Sequence, residues 1–125
     1  MEYLFDKLIK YHGINTLSKI EIPNCITDNL KPGFGQREYQ IEAFQRFLLF
    51  YNEDYSGKPR MPFHLLYNMA TGSGKTLIMA GLMLYLYEKG YRNFLFFVHS
   101  NTILEKTKMF IWLMMKTIIF LKTVK

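Results

Sequence analysis

The sequence holds a single cysteine, Cys25, among 125 residues. A disulfide within one chain is therefore impossible, and a reduced intracellular setting is expected. Cys25 stands beside Pro23 and Asn24 with no histidine partner near it, which suits a structural thiol better than a nucleophile. Long apolar runs are also lacking. The longest stretches from Met109 to Leu121 and is interrupted by Lys116, too short for a membrane span. Glu2 and Asp6 break the opening turns, and no apolar segment with a small-residue cleavage site follows, so no secretory signal is expected. Arginines are few: Arg37, Arg46, Arg60 and Arg92 are scattered, whereas a nucleotide kinase needs arginines gathered in a lid. His99 has no second ligand at metal-binding spacing. No internal repeat is present.

Acidic residues stop at Glu105. Beyond it lie five lysines, Lys106, Lys108, Lys116, Lys122 and Lys125, against no acid. The preceding residues hold 11 basic and 10 acidic groups, so the net charge of +6 belongs mostly to the tail. That charge therefore gives no footprint by which to read a nucleic-acid surface on the main domain.

What the chain does have is apolar: 50% hydrophobic and 17% aromatic residues, enough to bury a core and too many for a disordered segment. Leu4, Phe5, Leu8 and Ile9 fit one helical face, with Gly13 as a stop. Residues 21–36 carry Pro23, Asn24, Asp28, Asn29, Pro32, Gly33 and Gly35 and read as irregular. From Arg37 to Asn52, apolar Ile41, Phe44, Phe47, Leu48 and Tyr51 recur at helical spacing. A polar loop over residues 52–62 follows. Phe63 to Asn68 and Asn93 to Val98 are apolar runs of strand length, flanking a buried helix over Thr76–Lys89 that Gly90 should end. Strand, helix and strand over about 35 residues make a βαβ unit, with the right-handed crossover such units adopt. Ser100 is placed to cap a further helix from Thr102. The tail after Met109 has no glycine, proline or acid and no clear helical face. It could be a helix, a membrane-adhering segment, or out-of-frame residues after a truncation.

The chemistry is concentrated in Met69-Ala70-Thr71-Gly72-Ser73-Gly74-Lys75-Thr76. Glycines let backbone N–H groups approach phosphate oxygens. The helix that starts beside Lys75 aims its positive dipole end at the same anion. Lys75 can reach the β- and γ-phosphates, and the Thr76 hydroxyl can ligate Mg²⁺. Thr71, Gly72, Ser73, Gly74, Lys75 and Thr76 are thus the candidate nucleotide site, with ATP and Mg²⁺ as ligands. The usual phosphate loop carries a glycine where Met69 stands, so the match to that pattern is not literal.

Met-Ala-Thr-Gly-Ser-Gly-Lys-Thr resembles motif I of superfamily-two helicases, and its opening looks most like the ATP-driven motor subunits of type III and type I restriction enzymes. Arg37-Glu38-Tyr39-Gln40, followed by Ile41-Glu42-Ala43, is similar to the segment upstream of motif I in that family. There the glutamine reads the adenine edge, which the resemblance assigns to Gln40; an amide that donates and accepts at once suits that edge. Phe96 to Leu104 resembles motif Ia, which touches the nucleic-acid backbone in relatives and makes Ser100, Asn101 and Thr102 candidate DNA contacts, beside the plainer reading of a helix-capping turn. The likeness covers roughly residues 30–108. It implies an α/β fold, a partial RecA-like P-loop NTPase domain with a βαβ core preceded by helices. The organisation expected is a lead-in over 1–36, a partial ATP-binding domain over 37–108 and an atypical tail over 109–125.

The family also needs an acidic Asp-Glu motif to hold Mg²⁺ and place the attacking water, a second motor domain with an arginine finger, and, for type III enzymes, a nuclease. None follows Glu105 here. The expectation is an ATP-binding amino-terminal fragment of a restriction helicase or translocase, without motor or nuclease activity of its own. DNA and a methyltransferase modification subunit are the partners the resemblance implies, in the cytoplasm and with no membrane. Two alternatives stay open: half of a split motor completed by a partner chain, and a small P-loop nucleotide-binding protein with no role on DNA.

Overall fold

A computed structural model describes residues 3–29, 36–95, 97, 102, 103, 105 and 107. Among the described residues the α-helices are α1 (Leu4–His12), α2 (Asn24–Thr27), α3 (Glu38–Asn52) and α4 (Lys75–Glu88), with a 3₁₀ turn at Leu17–Lys19. Thr102, Ile103, Glu105 and Thr107 are also helical. The chain divides into two compact units, one of Met1–Ile22 with Pro32–Lys75, the other of Pro23–Lys31 with Thr76–Lys125.

In the first unit, α1 ends where Gly13 turns to φ 82° and returns its N–H to the Ile9 carbonyl at 2.8 Å. A side chain would resist that angle, so the glycine is the stop its position suggested. The Thr16 hydroxyl donates to the His12 carbonyl and closes the same end. Leu8 on α1 and Leu17 in the 3₁₀ turn pack with Leu49 and Phe50 of α3. Around them lie Leu4, Phe5, Ile20, Tyr55, Phe63 and Leu65. The Phe50 and Phe63 rings meet edge to face at 4.8 Å, the arrangement their quadrupoles favour. Each fully buried leucine or phenylalanine contributes about 1.5–3 kcal/mol. On the rim, the Arg46 guanidinium lies 3.9 Å over the Phe5 ring while pairing with Glu42 at 2.6 Å. Phe44, Phe47 and Leu48 are buried, as the helical spacing predicts, and Leu49 and Phe50 widen that face.

The second unit is built on α4. Its buried residues, Leu77, Ile78, Ala80, Gly81, Met83, Leu84 and Tyr85, cover more than half of its circumference, and apolar Met79, Leu82 and Leu86 on the remaining side are half-buried. An all-round apolar helix belongs in an interior. Its end is a Schellman motif: Gly90 N–H bonds the Tyr87 carbonyl at 3.0 Å and Tyr91 N–H bonds the Leu86 carbonyl at 3.1 Å, with Gly90 at φ 101°.

The expected βαβ core is not present: among the described residues there is no β-strand, and every regular element is helical. The α/β, RecA-like expectation is corrected accordingly. The physical reason lies in what makes a strand. An apolar run becomes one only when its N–H and C=O groups enter a ladder with a neighbour. From Phe63 to Ala70 exposure alternates residue by residue, as a pleated chain would have it, yet no ladder pairs this backbone among the described residues. Leu66 is 92% exposed. The second run fails the burial that parallel strands need. Leu95 and Phe97 are exposed, and the rest of that run lies partly outside the described residues.

Candidate phosphate-binding loop

Residues 69–75 form a tight loop leading into α4. Ser73 N–H donates to the Ala70 carbonyl at 3.3 Å, closing a four-residue turn. Gly72 occupies its third position at φ 79°, the positive angle that a type II turn requires there. Gly74 follows at φ 87°. A Cβ on Gly72 would meet nothing within 4 Å, so it is the backbone angle that selects glycine there. The Ser73 hydroxyl donates to the Ala70 carbonyl at 2.6 Å. Lys75 Nζ donates to the Met69 and Ala70 carbonyls at 2.9 and 2.8 Å. The ammonium is thereby folded back over the loop, and Lys75 remains exposed.

The loop is fastened to the first turn of α3. Gln40, 5% exposed, accepts from the Arg37 N–H at 3.0 Å through Oε1 and donates to the Ser73 carbonyl at 2.9 Å through Nε2. The first bond closes the α3 N-terminus, where backbone donors lack helical partners. The second reaches across 33 residues. An amide has two N–H bonds and two lone pairs, so one of each remains at Gln40. Tyr39 Oη also donates to the Ser73 carbonyl, at 2.9 Å, and accepts from Arg37 Nη1 at 2.9 Å. The sequence singled out Gln40 but not this use of Tyr39 and Arg37; their position beside it was the only signal.

Of the other candidate residues, Thr71 is exposed at the turn. Thr76 is half-buried as the second residue of α4. Thr102 is exposed and helical, while Ser100 and Asn101 lie outside the described residues. Residues 109–125 lie outside them too. Cys25 is a partly buried free thiol. Burial first, and the neighbouring Glu88 carboxylate second, push its thiol up to about 11, which keeps it protonated at neutral pH.

The loop suits a polyphosphate on these observations: two glycines at positive φ, a lysine ammonium over the turn, and a helix starting at Lys75. Among the described residues no group of three or more His, Cys, Asp or Glu could hold a metal ion. The Thr76 hydroxyl is the candidate protein ligand here for a magnesium ion, which at nucleotide sites is otherwise held by phosphate oxygens, water and one or two carboxylates. No helix among the described residues is long and apolar enough to cross a membrane.

The family model described as type III restriction enzyme, res subunit, matches residues 34–119. The chain is 47% identical over 91 residues to the "Probable type III restriction-modification enzyme HindVIP Res subunit" of Haemophilus influenzae. The match takes in 70% of this chain and 17% of that protein, so the chain spans about a sixth of its relative's length. No solved structure matches. With the phosphate loop and its α3 clasp inside the matched region, the chain belongs to the type III restriction enzyme Res-subunit family.

Proposed function

We propose that this chain is the ATP-binding segment of a type III restriction motor, and that the 125-residue polypeptide binds Mg·ATP without turning it over. The observation that carries the reading is the loop itself, with Gly72 and Gly74 at positive φ, Lys75 above it and its Ser73 carbonyl tied to α3. Loop N–H groups and Lys75 take the phosphates. Thr71, Gly72, Ser73, Gly74, Lys75 and Thr76 form the cradle, and the Thr76 hydroxyl is the protein's ligand to Mg²⁺. The remaining N–H and lone pair of Gln40 suit the edge of adenine. ATP supplies the charged group on which the parent motor acts; holding and neutralising it is what this segment contributes.

Turnover requires more. Phosphoryl transfer depends on positioned charge, and an arginine finger alone is worth about 10³–10⁵ in rate in related NTPases. Residues 106–125 carry five lysines and no acid, so that stretch offers the metal and attacking water no carboxylate. DNA and a methyltransferase subunit are the partners of the whole motor in the cytoplasm, with Thr102 the described member of the proposed backbone contact. The segment boundaries proposed are a lead-in over 1–36, the nucleotide segment over 37–108 and the tail over 109–125. The test is a paired measurement on the purified chain, Mg·ATP binding by calorimetry and phosphate release under the same conditions. Saturable binding without release supports the proposal. A Lys75-dependent hydrolysis rate overturns the second half of it, and absence of binding by a folded chain overturns the first.

A further inference from the structure

We infer that Tyr39 is a positioning residue of the phosphate loop, setting the direction of the Gly74 N–H. The inference rests on the triphosphate-binding reading and adds a residue to it. The Ser73 carbonyl accepts two hydrogen bonds from adjacent residues of one helical turn, Tyr39 Oη and Gln40 Nε2, each at 2.9 Å. Both lone pairs of that oxygen are thereby used, and its direction is fixed toward α3. The Ser73 carbonyl and the Gly74 N–H belong to one planar trans peptide, in which the two bonds point in opposite directions. Fixing the carbonyl on α3 therefore turns the Gly74 N–H away from α3. Among the described residues that N–H has no hydrogen-bond partner within the chain, whereas the Ser73 N–H is spent on the Ala70 carbonyl. Gly74 has φ 87°, an angle at which the peptide could rotate readily if nothing held it.

Tyr39 is the stronger half of this clasp in one respect. Its hydroxyl accepts from the Arg37 guanidinium at 2.9 Å while it donates to Ser73. A cation on the acceptor side polarises the O–H and strengthens its donation. Gln40, by contrast, also serves the α3 cap through Arg37 N–H, so its removal perturbs the helix as well as the loop. Tyr39 is 39% exposed, so deleting its hydroxyl leaves the buried core untouched.

The experiment uses the full chain as wild type and Tyr39→Phe. Each is titrated with Mg·ATP and with inorganic tripolyphosphate, and the Gly74 amide resonance is followed in ¹⁵N spectra without ligand. Loss of one such hydrogen bond should weaken both ligands by the same factor, about three- to tenfold, and should shift the Gly74 resonance. Three results overturn the inference: unchanged ATP affinity, a loss seen with ATP but not with tripolyphosphate, or an unmoved Gly74 resonance. A wild-type chain that binds neither ligand defeats the triphosphate reading by itself. The Gly74 resonance then decides the positioning claim alone, a shift supporting it and no shift overturning it.

Discussion

Replacing Gly72 separates backbone preference from packing with unusual clarity. The residue sits at φ 79° in the turn closed by Ser73 N–H on the Ala70 carbonyl, and a Cβ there meets nothing within 4 Å. Alanine therefore fits the space and is opposed only by the angle. Holding an L-residue in the left-handed region costs roughly 1–2 kcal/mol. The turn is exposed and outside the Leu8–Phe50 core, so little of that cost should appear in the melting temperature. It should appear in ligand binding, because the loop must hold this angle to present its N–H groups. A loss of 1–2 kcal/mol is a factor of about 5–30 in affinity. Asparagine tolerates positive φ through its own local hydrogen bonds and should lose less, whereas β-branched valine should lose more. The assay is equilibrium titration of Gly72→Ala, Gly72→Asn and Gly72→Val with a fluorescent ATP analogue in Mg²⁺, with circular dichroism melts alongside. Equal affinity for Gly72→Ala and wild type, or an order in which valine outperforms asparagine, would refute the backbone argument.

Other perturbations have distinct expected outcomes. Gln40→Ala removes a buried amide that serves Arg37 N–H and the Ser73 carbonyl together, and should cost about 1–3 kcal/mol of stability, read as a lower melting temperature. An unchanged melt would refute its clasping role. Phe50→Ala empties the centre of the first unit and should cost about 3–5 kcal/mol, measured by urea unfolding; a cost below 1 kcal/mol would contradict the core described. Cys25 should react with iodoacetamide at pH 8 far more slowly than a free thiol, because its folded value near 11 lies above the ordinary 9.0. A raised value means the unfolded thiol ionises first, so its contribution to stability is whole below pH 9 and is lost as pH climbs toward 11. Cys25→Ser should remove that part of the alkaline decline, seen as the difference between two pH–melting curves.

Helices α1, α3 and α4 were legible because their signals are local, whereas the single turn of α2 (Asn24–Thr27) lies in a stretch that reads as irregular. Apolar spacing marked α1 and α3, the continuous apolar stretch marked α4, and Gly13 and Gly90 ended their helices through angles that disfavour a side chain. The strands were not legible, because a strand is a relation between two segments. Phe63–Ala70 carries the alternating exposure of one, but its sequence says nothing of whether a ladder partner lies beside it. The turn at Gly72 and Gly74 and a helix beginning beside Lys75 could be read from the glycine-rich pattern. What could not be read was the Ser73 carbonyl as a meeting point for Tyr39 and Gln40, since the bonds span more than thirty residues and one of them ends on backbone, which leaves no trace in side-chain identity.

The most direct test of the central claim is equilibrium binding of Mg·ATP to the purified chain, set beside Lys75→Ala. Lys75 is exposed and its ammonium contacts only loop carbonyls among the described residues, so the substitution should leave the fold intact while removing the charge proposed to meet the phosphates. The account predicts saturable binding by the wild type and its loss in Lys75→Ala at an unchanged melting temperature. Equal binding by both proteins, or none by a folded wild type, would contradict it.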